Sequence, residues 1–102
     1  MTELELQFHR AMISIYESAK DECHYNATRF LGMVSERGGL ATARALLATR
    51  EPSDGFTALW ECGRLDLTVE TLVLQPRFAA LFSEEERNVA KTRLEEYGYK
   101  FQ

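Results

Sequence analysis

The chain has 102 residues, 45% hydrophobic and 27% charged, and a net charge of −4 from 16 acids and 12 bases. That length serves one core, so a single helical domain over residues 1–102 is expected. A composition this close to the globular average excludes a disordered tail and a fibrous repeat, and the acidic balance argues against a dedicated nucleic-acid binder.

No apolar run approaches the roughly 18 residues a membrane span needs. The start, Met1-Thr2-Glu3-Leu4-Glu5, is acidic, whereas a signal peptide opens on basic residues and an apolar stretch. A cytoplasmic protein with no membrane partner is the expectation. Cys23 and Cys62 are too few for a disulfide scaffold and would stay as thiols in a reducing cytosol. With His9 and His24 they form a nominal Cys2His2 set, but the spacing matches no zinc module, so neither metal nor cofactor is expected.

Residues 3–22 hold no Pro or Gly, and Leu4, Phe8, Ala11, Met12, Ile15 and Ala19 recur at helical spacing. Leu6, His9, Ile13 and Tyr16 extend the apolar arc nearly to the opposite side. Either this helix is sandwiched centrally, for instance under the C-terminal helix, or those four residues form a partner face or a homodimer contact. Asn26 is placed to cap a second helix carrying Phe30, Leu31 and Val34, which Gly38-Gly39 ends. A third, short helix carries Leu40, Ala43 and Leu47, and residues 49–55 form a polar loop.

Ser53 or Asp54 caps a fourth helix with Phe56, Leu59 and Trp60, stopped by Gly63. Trp60 is expected inside, as the anchor of that short helix. Asp66 is placed to cap a further helix with Val69, Leu72 and Val73, ended by Pro76. A turn with Phe78, Leu81 and Phe82 follows. Ser83-Glu84-Glu85-Glu86 then reads as a capping box opening a last helix to about Tyr97, with Gly98 as its stop. No stretch keeps a strand alternation. The predicted fold is all-α, a compact single-domain bundle of about six short helices.

Catalysis needs a convergent set of groups, and none of the common nucleophile or phosphate-loop motifs occurs, so no catalytic residues are assigned and a non-enzymatic protein is expected. Charge is uneven along the chain. Residues 26–50 carry Arg29, Arg37, Arg44 and Arg50 against Glu36 alone, while residues 51–75 hold five acids and one base. Two helices joined at Arg37-Gly38-Gly39 with four arginines have the outline of a helix-turn-helix. Yet Leu40 to Ala48 is mostly Ala and Leu, poor chemistry for reading bases, so these arginines are read first as a solvated face of the helical pair and no tight nucleic-acid binding is expected. Arg64 lies close in sequence to Glu61, Asp66 and Glu70. Together with Trp60 it is read as a structural hub joining two short helices, or as a ligand pocket.

Phe30-Leu31 through Gly38-Gly39-Leu40, Ser53-Asp54-Gly55-Phe56 with Leu59-Trp60, and Gly63-Arg64-Leu65-Asp66-Leu67-Thr68-Val69-Glu70 with Leu72-Val73-Leu74 resemble a small all-helical domain of unknown function found in many bacterial proteins. The resemblance covers roughly residues 8–97. It implies a bacterial or phage origin and the helical fold, and carries no activity or site residue with it. The leading functional expectation is a non-enzymatic protein-interaction module. The alternatives are a nucleic-acid-associated domain using the four arginines and a small acidic inhibitor of a nucleic-acid-binding enzyme.

Overall fold

Thr2 starts the first helix, its hydroxyl accepting from the Glu5 amide at 3.1 Å, and in the computed structural model, which describes residues 2–101, that helix runs 21 residues. This is α1, Glu3–Cys23, ended by His24 in a left-handed conformation whose N–H returns to the Ala19 carbonyl. The rest follow as α2, Thr28–Arg37; α3, Gly39–Ala48; α4, Asp54–Glu61; α5, Val69–Val73; and α6, Glu84–Glu96. Two 3₁₀ turns, Leu65–Leu67 and Pro76–Leu81, flank α5. Among the described residues there is no strand. The expected all-α bundle is the fold, and α1 covers the 3–22 stretch read as helical, ending one residue later at Cys23.

The order of packing follows from α1. The α2–α3 hairpin lies against it, while α5 and both 3₁₀ turns cover another part of its surface, and α6 crosses α5 and α3. Helix α1 is therefore the sandwiched element, and the hairpin rather than the C-terminal helix supplies the covering layer. Gly38 makes the hairpin corner at a φ of 88°, where a side chain would be strained. Gly39 is needed for contact: a Cβ there would sit 2.7 Å from the His9 Cα, closer than any van der Waals approach.

Phe8, Met12, Val34, Ala43, Val73 and Phe78 form the fully buried centre. Phe8 meets Phe78 and Phe82 edge to face, with ring centroids 5.0 and 5.2 Å apart. Each such side chain is worth about 1.5–3 kcal/mol in transfer alone. A second, smaller cluster of Phe56, Leu65 and Leu94 sits apart, under α4 and the end of α6.

Three sequence expectations change here. Asn26 does not cap α2, whose N-cap is Ala27 with no side-chain bond; the Asn26 amide oxygen instead accepts from the Tyr16 hydroxyl at 2.8 Å. Asp66 does not cap α5. It sits in the 3₁₀ turn, and Thr68 takes the Thr71 amide at 3.3 Å, because one extra turn intervenes before the helix. Cys23 and Cys62 are not free thiols. They are joined in a disulfide, their Cα atoms 6.0 Å apart, which fastens the end of α1 to the end of α4. The capping box of α6 is complete, Ser83 and Glu86 each accepting from the other's backbone N–H.

Candidate functional site

Helix α4 is the thinnest part of the fold, eight residues packed chiefly on the Leu65–Leu67 turn, and the two surface features suited to binding lie on either side of it. Ser53 starts it by accepting from the Phe56 amide at 3.2 Å. Phe56 and Leu59 then point inward, while Trp60 turns outward.

Trp60 is 46% exposed, against the expectation of a buried anchor. At about 100° per residue it lies about 40° round α4 from Phe56 but about 100° from Leu59, which puts it at the edge of the buried face, and Phe56, at 2% exposure, does the anchoring instead. Tyr97 touches both, edge to face, at 5.0 Å from the Phe56 centroid and 5.3 Å from that of Trp60. Tyr99 and Phe101 follow, 5.1 Å apart, and Phe101 is 44% exposed. Trp60 and Tyr99 border one hollow of about 350 Å³, with Lys100 and Asp66 on its edge. The result is an aromatic corner fed by the ends of α4 and α6.

On the other side of α4 lies a larger cleft of about 460 Å³, between the second half of α1, the start of α2, the 49–55 loop and the start of α5. Its floor is buried and mostly apolar: Ala19, Phe56, Leu59 and Val69, with Glu70 beside them. Tyr16, Tyr25 and Phe30 stand half-buried in its walls, and the exposed Arg29, Glu51 and Asp54 mark its mouth.

The expected hub divides in two. Arg64 is bonded to Asp66, at 3.0 and 3.1 Å, and also to Glu22 at the end of α1. Those bonds hold the Arg64 guanidinium well above its ordinary pKa and the Asp66 carboxyl below its own. Glu61 is exposed on α4 and makes no ion pair with Arg64, and Trp60 pairs with Tyr97, sharing with Asp66 only the border of the small hollow. Glu70 is not part of it. It is buried, and its Oε2 accepts from Arg93 Nη1 at 2.9 Å. Burial pushes the Glu70 carboxyl up, and the Arg93 bond offsets only part of that. Arg93 also donates to the Leu46 carbonyl at 3.2 Å and the Thr49 carbonyl at 2.8 Å, closing the C-terminal end of α3. This pair escaped the sequence reading; the one signal for it was a lone arginine at the inward position of α6 beside Leu94.

The first-helix face is partly occupied within the chain. His9 Nδ1 accepts the Gly39 amide at 3.0 Å, and Tyr16 donates to Asn26. Ile13 is half-buried against the main core, and Leu6 is half-buried nearer the start of the helix. The four arginines do not act as one patch. Arg44 is tied to the Leu81 carbonyl at 2.8 Å and to Glu86 at 3.4 Å, Arg29 stands at the cleft mouth, and Arg37 and Arg50 lie exposed at the end of α2 and in the loop after α3.

No helix is long and apolar enough to cross a membrane among the described residues. No family model, curated protein or solved structure matches the chain.

Proposed function

We propose that this chain is a non-enzymatic protein-interaction module, and that its partner docks on the aromatic corner of Trp60, Tyr97, Tyr99 and Phe101. The observation that carries the reading is a tryptophan left 46% exposed yet braced in one orientation by Tyr97. Held aromatics of this kind supply large contact area at little cost in side-chain freedom, and they dominate the energy of protein interfaces. The resemblance described above suggests a bacterial or phage setting. The disulfide supports an oxidising compartment over the cytoplasm expected from sequence. Trapping the thiol state in cells with an alkylating agent reads this directly.

The test uses wild type and Trp60→Ala as paired baits, with the retained protein identified and its affinity measured in purified form. The expected result is a partner bound by wild type and weakened at least about tenfold by the substitution, the size of a hot-spot loss. Equal binding by both baits overturns the assignment of the corner, and sedimentation of wild type at high concentration shows whether the partner is a second copy.

A further inference from the structure

The cleft beside α4 is separate from the aromatic corner and has the features of a small-molecule site. At about 460 Å³ it falls within the usual volume of ligand pockets, and its buried floor of Ala19, Phe56, Leu59 and Val69 offers an apolar body somewhere to go. Its walls are aromatic. The Tyr16 hydroxyl already donates to Asn26, so what Tyr16 can present to a ligand is the face or edge of its ring and the acceptor side of its oxygen, both suited to a cation. Tyr25 lies against the first turn of α4, where a Cβ on Gly55 would stand 3.7 Å from its ring.

The charges at the mouth decide the sign of the ligand. Glu51 and Asp54 are exposed there with no ion-pair partner among the described residues, and Arg29 is the one base that lines the cleft, the exposed Arg50 next to Glu51 standing outside the lining. At the floor Glu70 is neutralised by Arg93. The cleft is therefore left with a net negative charge around aromatic walls, the environment that favours an organic cation by both charge attraction and the ring quadrupole. An anionic head would have Arg29 alone and two carboxylates against it.

We propose that this cleft binds a small organic cation, an amine or quaternary ammonium with an apolar body, seating the body on Phe56 and Leu59 and the cationic head between the aromatic walls and Glu51 and Asp54.

Three probes of one shape test this: benzyltrimethylammonium, benzyl alcohol and benzenesulfonate, each titrated into the intact, oxidised protein and followed by amide cross-peak shifts. The cation is expected to saturate, with shifts centred on Tyr25, Gly55 and Phe56, and to bind at least about tenfold more tightly than either other probe. Glu51→Gln with Asp54→Asn should weaken it about fivefold, and Arg29→Gln should tighten it, because these exposed charges act through modest screened attraction. All three positions are at the surface, so the fold is expected to survive, and the unchanged cross-peaks of the main core check that. Saturation by the sulfonate instead, equal binding of the neutral probe, or no saturable shift by any of them overturns the proposal. So does weakening by Arg29→Gln. None of these outcomes touches the reading of the Trp60 corner.

Discussion

Arg93 reaches inward from α6 to Glu70 on α5, with 2.9 Å between Nη1 and Oε2 and with side chains only 6% and 4% exposed. The same guanidinium holds two carbonyls at the end of α3, so one residue joins three helices. Removing one member of a buried ion pair leaves the other charged and unpartnered, which costs about 3–5 kcal/mol. Arg93→Ala is expected at the upper end of that range, because the Leu46 and Thr49 carbonyls lose their donor as well. Urea denaturation measures it, and a loss below about 1 kcal/mol would mean that water replaces the guanidinium.

The pH dependence of Glu70 has a definite sign. Its folded pKa lies above the ordinary glutamate value, so the folded chain binds this proton more tightly than the unfolded one. The stability it contributes is full in acid and is lost as pH rises through the folded pKa. The gap in stability between wild type and Glu70→Gln is therefore expected to widen as pH falls from 7 through the glutamate range. A gap that narrows instead would show Arg93 winning over desolvation. Asp66 runs the other way, since Arg64 depresses its pKa and its contribution fades as pH drops.

The disulfide encloses residues 23 to 62, a separation of 39. Loop-closure entropy for that length gives a stabilisation of about 4 kcal/mol, a large share of the stability of a domain this small. Reduction by a dithiol, or the double change Cys23→Ser and Cys62→Ser, should lower the denaturation midpoint accordingly. An unchanged midpoint would mean that the reduced, unfolded chain already keeps these two segments close together.

Neighbouring aromatics on α4 should behave oppositely. Phe56→Ala empties a buried site and is expected to cost about 3–5 kcal/mol. Trp60→Ala should cost about 1 kcal/mol, little more than its edge contact with Tyr97. Thermal melts of the two variants, run side by side, check the order.

Two glycines separate crowding from propensity. Gly39→Ala forces a Cβ onto the α1 backbone and should destabilise by about 1–3 kcal/mol. Gly32→Ala, inside α2 with nothing within 4 Å of the new Cβ, should stabilise by about 0.5–1 kcal/mol. Equal effects at both positions would mean that α3 can slide away from His9.

Local signals proved readable and remote ones did not. Ser83 with Glu86, Ser53, and the Gly38-Gly39 corner lie within a few residues of the groups they act on, so chain order reveals them. The Thr68 cap was missed because a 3₁₀ turn shifted the helix start past Asp66. Arg93 with Glu70 and Cys23 with Cys62 are 23 and 39 residues apart, and their meeting depends on how α6 and α4 settle on the rest. Trp60 was misplaced for a related reason. Hydrophobicity says that one of the large side chains on α4 must go inside, but the rotation of the helix decides which, and Phe56 took the inner position. The cleft has no motif at all, because its walls come from five separate parts of the chain.

The division of the interior into a main cluster and the small one of Phe56, Leu65 and Leu94 bears on how the molecule breathes. Three side chains are a thin anchor, so the segment from about 53 to 67 should open as a unit while α1, α3 and α5 stay closed. Amide deuterium uptake should accordingly be fastest in α4 and slowest around Phe8 and Val73. With Cys62 tied to Cys23, the opened segment cannot drift away. It reseats from a short distance, and the corner and the cleft re-form together.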